Sequence, residues 1–293
     1  MVSIILSLLL ATIRQAAPIL ITAIGATFSE VTGVVNIGLE GMMLMGAFSA
    51  AVTSFYTGSP WAGVLAGMIS GGLLAWLHGI LSIKYRGNQI VSGVAINLFA
   101  SGFTIFMLRV LFHQSGNSPA VAKLPTLFGM SILVYIIYAI AILAHIFIYK
   151  TVTGLRMRAV GEHPLAADTV GIDVYKIRYF GVIMSGVLSG LGGAYLSLGA
   201  LAQFTKGMSA GRGFIALAAM IFGKWTPIGS IGASLLFGFA DAGQTLLQQY
   251  VKSIPPQFIQ MTPYLLTLLA LAGVVGKAVA PAADGQPYDK NDI

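Results

Sequence analysis

Apolar runs of roughly 20 residues, the length that crosses a bilayer, recur along most of this 293-residue chain. Glycines and short polar segments separate them, and only 9% of all residues are charged. A soluble domain carries about 25% charged residues, so a chain this poor in charge cannot cover a surface that faces water. Lipid must be its main solvent, where backbone groups are hydrogen-bonded within helices. The sequence therefore predicts an all-α polytopic integral membrane protein.

The runs predict about eight membrane-spanning helices, with roughly seven to ten possible. The segment 251–260, with Pro255 and Pro256, is predicted to be a loop. The first span contains Arg14 and Pro18, and it is either one tilted helix or an interfacial helix followed by a short one. It lacks the basic start of a signal peptide and is expected to be retained. The candidate spans are Ile4–Phe28, Leu39–Phe55, Trp61–Ile83, Ile90–Phe112, Ser131–Tyr149, Ile177–Leu201, Ile228–Leu247 and Thr262–Val275, with Gly213–Phe222 as about half a span.

One domain, residues 1–280, is expected to contain all the spans. It is followed by a polar tail, residues 281–293, whose Pro, Gly and charged residues predict disorder. Gly63, Gly67 and Gly71 recur every four residues, as do Ser185, Ser189 and Gly193, and both rows predict close helix packing.

The net charge of +7 would suggest nucleic acid in a soluble protein, but here the basic residues lie in short loops, which indicates orientation in the membrane instead. Basic residues favour the cytoplasmic side. One side collects Lys84, Arg86, Lys150, Arg156, Arg158, Lys176, Arg178, Lys224, Lys277 and Lys290, and the other only Arg109, Lys123, Lys206, Arg212 and Lys252. We therefore expect the long polar loop 150–176 and the C-terminus to lie in the cytoplasm.

Several polar residues interrupt the apolar runs. Asn36 and Glu40 lie in a glycine-rich break between two spans, and Asn97 lies inside the Ile90–Phe112 span. Polar groups at such depth are expensive unless they face water or a partner, so they are either pathway-lining residues or buried locks. For Glu30, a functional role and a position in an ordinary interfacial loop are equally favoured. Asp241 is expected to pair with a base on a neighbouring helix.

Motifs of intrinsic enzymes are missing from the sequence. There is no phosphate-binding G-x-x-x-x-G-K-[ST] loop, no H-E-x-x-H and no G-x-S-x-G. The chain has no cysteine, and its four histidines are scattered, so a metal cluster is not expected. The chain is predicted to bind no cofactor and to be no enzyme, which makes a transporter subunit driven by another protein attractive.

Four segments of the sequence have a distinctive pattern. They are G-V-V-N-I-G-L-E-G-M-M-L-M-G-A (Gly33–Ala47), G-L-R-M-R-A-V-G-E-H-P-L-A-A-D-T-V-G-I-D-V (Gly154–Val174), S-G-V-L-S-G-L-G-G-A-Y (Ser185–Tyr195) and I-A-L-A-A-M-I-F-G-K-W-T-P-I-G (Ile215–Gly229). Together they resemble the permease subunits of bacterial ABC importers. The resemblance is to the branch for branched-chain amino acids, ribose-type sugars and nucleosides. The chain is most similar to the shorter permease of the nucleoside and simple-sugar importers that use a BMP-type binding protein.

The resemblance implies an assembly in the bacterial inner membrane. A cytoplasmic ATPase that uses ATP and Mg²⁺, a second homologous permease and an extracytoplasmic binding protein are the expected partners. The long loop is then expected to contain the coupling helix, the short helix that docks on the ATPase. Positions Gly161, Glu162, Pro164, Ala166, Ala167 and Gly171 match the family's pattern there, and Asp168 is expected to pair across the rim of the contact.

Local chemistry agrees with a short helix from about Pro164 to Val170. Proline suits a first helical turn, and Glu162 is favourable near a helix start. Alanines at 166 and 167 form helix well and leave a small-residue face, and Gly171 is suited to end the helix.

The sequence therefore predicts a translocating subunit of an ATP-driven importer for a nucleoside, a related ribose-containing compound or a simple sugar, with Asn36, Glu40 and Asn97 lining the pathway. Purine nucleosides are the leading substrates, and riboflavin stays open. The alternative is a secondary transporter that works alone on an ion gradient, for which Glu40 and Asp241 are the obvious ion ligands. A membrane scaffold without transport is a third hypothesis.

Overall fold

The computed structural model describes residues 2–250, 261 and 278–290, and this part of the chain is built almost entirely of helices. The exception within this part is one β-hairpin with strands of two residues each, β1 (Thr126–Leu127) and β2 (Met130–Ser131). The helices are α1 (Val2–Glu30), α2 (Leu39–Thr57), α3 (Pro60–Gly79), α4 (Gln89–Phe112), α5 (Ile132–Lys150), α6 (Val152–Glu162), α7 (Pro164–Thr169), α8 (Val174–Ala194), α9 (Arg212–Phe222) and α10 (Pro227–Tyr250).

The predicted spans coincide with these helices. The first span is a single helix, because α1 continues through Pro18 up to Glu30. Two π-helical turns, Ile80–Lys84 and Tyr195–Leu201, lengthen α3 and α8. Among the described residues, five helices are long and apolar enough to cross a membrane by length and composition: Ile5–Glu30, Pro60–Lys84, Gln89–Phe112, Ile132–Lys150 and Val174–Leu201. The chain is thus an all-α polytopic membrane protein. The predicted loop 251–260 and last span Thr262–Val275 lie outside the described residues, so the count of eight stays a prediction.

The centre of the bundle is α8, which packs on α1, α2 and α3. Within the described part of the chain, 83% of its apolar stretch is buried, against 28% for α4 at the periphery. Small residues make this packing possible. Gly71 lies against the carbonyl oxygen of Gly186, and Gly190 against that of Gly67, with no room for a Cβ atom at either glycine. The predicted small-residue packing is confirmed.

Valine at Gly71 should destabilise the protein by about 1–3 kcal/mol, since the added atoms must push α3 away from α8. Thermal unfolding of the detergent-purified protein measures the loss. Valine at Gly102 is the matched control, because a Cβ atom there meets nothing within 4 Å. Equal unfolding temperatures for the two variants would contradict the close contact between α3 and α8.

The polar segments gather at one end of the bundle, which we call the loop side. It comprises α6, α7, the 84–89 turn and the tail residues 278–290, which we call the strap. Arg86 forms an ion pair with Asp289 of the strap, and Lys290 lies 3.5 Å from Asp168 of α7. The 84–89 turn, α7 and the strap, which carry several of the basic residues that the sequence assigned to one side, therefore lie at the same end of the bundle.

Two features of the loop side differ from the sequence prediction. The predicted short helix is present as α7, but the residues before it form a second helix, α6, which composition did not reveal. The tail was expected to be disordered, whereas residues 278–290 follow a defined path with Ala283 and Tyr288 buried. The polar composition predicted disorder, and the contacts of these two buried side chains outweigh it.

Candidate functional site

The break between α1 and α2, residues 31–38, carries irregular backbone within the bundle. Polar side chains from two other helices, α3 and α4, hydrogen-bond to it. Gln89 Oε1 accepts the Val35 N–H at 2.7 Å, and the Asn97 amide donates to the Ile37 carbonyl at 3.0 Å. The His78 ring contacts the Val35 carbonyl at 3.0 Å. Irregular backbone is tolerated inside a membrane protein only where such partners exist, so these residues hold the break in place.

Asn36 lies at the centre of this break and is fully buried. Its amide nitrogen donates to Ser185 Oγ of α8 at 2.6 Å, and its amide oxygen accepts the Gly38 N–H at 3.0 Å. Ser185 Oγ in turn donates to the Val182 carbonyl at 2.6 Å. The Asn36 side chain thus connects the break to the central helix. The sequence did not predict this contact, because it assigned Ser185 only to helix packing.

Asn97 is half-buried and bridges the break to the first turn of α2. Its oxygen accepts the Gly41 N–H at 2.7 Å while its nitrogen donates to Ile37. A Cβ atom at Gly41 would lie 2.9 Å from the Asn97 backbone, so the two helices touch at this point. Ser92, one turn earlier on α4, contacts His78 at 2.9 Å. The polar stripe of α4 is therefore used for helix contacts.

Glu40 caps the first turn of α9. One carboxylate oxygen accepts the Gly211 N–H at 2.8 Å and the other accepts the Gly213 N–H at 2.7 Å. Both groups belong to the unpaired N–H set at a helix start, where negative charge is favourable. Gly213 is required, since a Cβ atom there would lie 2.5 Å from the Glu40 backbone.

The Glu40 contact lies deep in the bundle. Helix α9 has 11 residues and is about 16 Å long. Shortly after its end, Trp225 Nε1 donates to Glu30 Oε2 at 2.7 Å, at the end of α1 on the loop side. The Glu40 contact therefore lies about one length of α9, roughly 16 Å, from the contact that joins the end of α9 to the end of α1. Sequence reasoning identified Glu40 but not its partners, the glycines 171 and 173 residues away.

Asp241 of α10 is the residue for which pairing with a basic residue of a neighbouring helix is predicted. Arg212 at the start of α9 acts on it electrostatically. The two residues form no ion pair within 4 Å in the described part of the chain. Among those residues, no group of three or more His, Cys, Asp or Glu side chains is arranged to hold a metal ion.

On the loop side, α6 and α7 place the predicted coupling residues. Gly161 lies against the Val31 carbonyl with no room for a Cβ atom, so α6 is pressed onto the end of α1. Pro164 begins α7, and Gly171 follows it with φ of +83°, the left-handed conformation predicted for a helix end. The two alanines differ, because Ala167 is buried whereas Ala166 is exposed.

Charged residues of this segment mostly contact the protein itself. Glu162 is the last residue of α6, and its carboxylate accepts the Ala282 N–H of the strap at 3.4 Å, not an N–H of α7. Arg158 lies over the Tyr149 ring at 5.0 Å. The free surface of α7 consists of Ala166 and its neighbours, with Val170 74% exposed. An exposed valine beside small residues is suited to contact another protein.

One carboxyl pair was missed by sequence reasoning. The carboxyl groups of Glu30 and Asp284 interact directly. Two buried carboxyl groups that interact in this way share one proton. Burial raises the pKa of the Asp284 carboxyl to about 6, but the hydrogen bond from Glu30 lowers it, so the shared proton belongs to Glu30 and Asp284 accepts it. The sequence could not predict this pair, because Glu30 and Asp284 are far apart along the chain and the tail was expected to be disordered.

Replacement of Asp284 by asparagine should preserve the hydrogen bond to Glu30, but the new side chain no longer titrates. A carboxyl whose folded pKa is raised contributes stability below its unfolded pKa, and this is lost as pH rises through about 6. The free energy of unfolding of Asp284→Asn, relative to that of the wild type, should therefore increase by about 1–2 kcal/mol between pH 5 and pH 8. Thermal unfolding of both proteins at both pH values gives this difference. A difference independent of pH would contradict the shared proton.

A family of transport proteins matches this fold and sequence. Residues 8–271 match the family described as the permease component of branched-chain amino acid transport systems. The chain belongs to this permease family.

Relatives with similar sequences cover nearly the whole chain. The guanosine ABC transporter permease protein NupQ of Bacillus subtilis is 43% identical over 96% of this chain and 95% of its own. The nucleoside ABC transporter permease protein NupC of Lactococcus lactis is 41% identical over 94% of each. The guanosine permease NupP of Bacillus subtilis is 26% identical over 91% of this chain and 83% of its own.

A solved structure supports the fold. A chain of PsaBC from Streptococcus pneumoniae, determined in complex with a Fab, superposes with a TM-score of 0.50 at 19% identity, and covers 93% of this chain and 91% of that one.

Proposed function

We propose that this chain is the membrane-spanning subunit of an ATP-driven importer that carries a nucleoside, or a related ribose-containing or simple-sugar compound, into the cytoplasm. The observation that carries the proposal is the full-length similarity to the guanosine and nucleoside permeases. Purine nucleosides are the leading substrates because one of those relatives is named for guanosine.

The proposed assembly has three partners. An ABC ATPase binds the loop side, which then faces the cytoplasm together with the strap. A binding protein delivers substrate at the opposite side. NupQ and NupP of one organism are both named guanosine permeases and both resemble this chain, which favours a second, homologous permease beside it.

Coupling is assigned to α7 and the residues around it: Gly161, Glu162, Pro164, Ala166, Ala167, Asp168 and Gly171. ATP and Mg²⁺ act on the partner, and this chain contributes no cofactor site to the proposal. ATP binding would move α7, and the bundle would switch between two packings. The exposed Ala166 and Val170 support docking here, since they leave a small apolar surface with no partner in the described chain.

The pathway is assigned to the break and its supports. Asn36, Glu40 and Asn97 fix the positions of α2, α4, α8 and α9, so a change in any of these contacts alters the walls that a substrate passes. Asn97 and Glu40 keep partial exposure, whereas Asn36 acts from inside the bundle. Amide and carboxylate groups among apolar walls suit a cargo with hydroxyls and base edges.

Uptake by proteoliposomes containing this chain, the ATPase, the second permease and the binding protein tests the proposal. Guanosine is the first cargo, with ribose, glucose and riboflavin in parallel. We expect uptake that requires ATP inside the vesicles and continues without an ion gradient. Uptake by this chain alone, driven by protons or sodium, would support the secondary transporter instead. Absence of uptake for every cargo, with the assembly intact, would favour a scaffold.

A further inference from the structure

The strap touches every element on the loop side. The Ala283 N–H donates to the Gly161 carbonyl of α6 at 2.9 Å. Asp289 pairs with Arg86 of the 84–89 turn, and Lys290 approaches Asp168 of α7. Its contacts thus join segments that are up to 203 residues apart along the chain.

A buried arginine lies beneath the strap. Arg178 of α8 is only 1% exposed, and its Nη1 donates to the Gln286 carbonyl of the strap at 2.9 Å. Its guanidinium lies 5.9 Å from the centre of the Tyr288 ring. A buried charge is unfavourable without such partners, so the strap is the cover that makes the position of Arg178 possible.

The ring of Tyr288 is the point where four elements meet. It forms a small apolar cluster with Val160 of α6, Ala167 of α7 and Val174 of α8. It also packs against the Tyr175 ring at 5.3 Å between centroids. Ala167 is the buried side chain of α7, a helix of six residues, so Tyr288 supplies much of the surface on which α7 rests.

We propose that the strap is the mechanical link between α7 and the membrane helices: it holds α7 fixed to α8 and to the 84–89 turn, so that these move together when the ATPase moves α7. The inference rests on the proposed function. It assigns Tyr288 and Arg178 as positioning residues that act through α7, without contact to substrate or nucleotide.

The first test separates docking from coupling in the reconstituted transporter. Tyr288→Ala should still co-purify with the ATPase and hydrolyse ATP, while uptake per ATP hydrolysed falls by about tenfold, within the usual range for coupling between sites. Tyr288→Phe keeps the ring and should restore the wild-type ratio. Lys176→Ala, which removes an exposed side chain whose 3.0 Å ion pair with Asp173 does not involve the strap, is the control and should change the ratio by less than about twofold.

Each outcome decides the proposal. A wild-type ratio in Tyr288→Ala overturns it, and so does loss of ATPase binding in that variant, which would make the strap a docking surface instead of a link. If the wild-type chain itself fails to bind an ATPase, the proposed function is wrong and the strap is not at fault.

A second test does not depend on destabilising variants. The chain has no cysteine, so a pair placed at positions 86 and 289 is the only target for a short bis-maleimide in this subunit. Cross-linking should leave uptake within about twofold of the untreated double variant, because the strap stays on this turn throughout the cycle. Uptake that stops on cross-linking would show that the strap must separate, and would overturn the proposal.

Discussion

Replacement of Ala166 by tryptophan should abolish ATPase association and reduce uptake by about 100-fold, equivalent to roughly 3 kcal/mol of interface energy. Ala166 is exposed on α7, and its neighbour Ala167 is buried. A large ring at the exposed position blocks the proposed contact without disturbing the fold. Co-purification with the ATPase and thermal unfolding of the isolated chain are the two measurements.

Two further variants make this result specific. Ala120→Trp places the same ring at an exposed position outside the loop side, and ATPase association should be unchanged. Ala167→Trp inserts the ring into the cluster with Val160, Val174 and Tyr288, so the unfolding temperature should fall as well. If Ala166→Trp retains its ATPase, α7 is not the docking helix.

Alanine at Glu40 should destabilise the chain by about 3 kcal/mol, because the Gly211 and Gly213 N–H groups lose a charged acceptor deep in the bundle. We expect a large fall in the unfolding temperature and little folded protein after extraction. Glu40→Gln keeps one acceptor oxygen and should lose about half as much.

The control for Glu40 is the exposed carboxylate of Glu162. Its contact with the Ala282 N–H is long, at 3.4 Å, so Glu162→Ala should change stability by less than about 0.5 kcal/mol. Wild-type stability in Glu40→Ala would show that the cap is dispensable. A normal fold with lost uptake in Glu40→Gln would support its assignment to the pathway.

Periodicity and turn chemistry were sufficient to predict the membrane helices and α7, but not α6. The Ile90–Phe112 span is matched by α4 to within one residue, and Pro164 with Gly171 defined the ends of α7. These signals are local, since a long apolar run, a proline at a first turn and a glycine at a helix end act through neighbouring residues.

The sequence alone could not predict contacts between residues that are far apart along the chain. Glu40 and Asn97 could be recognised as unusual, because polar groups are expensive in lipid, but nothing local indicated that their partners are backbone N–H groups. The strap is the clearest failure. Its composition predicted disorder, and only the fold places Tyr288 against three helices.

The cap on α9 also bears on which cargoes the pathway favours. A helix that begins inside the bundle presents a positive end, which can attract phosphate or carboxylate groups. Here Glu40 already occupies the Gly211 and Gly213 N–H groups. A nucleotide would gain no attraction from this helix and would meet a fixed negative charge. We therefore expect neutral nucleosides to be preferred over their phosphorylated forms.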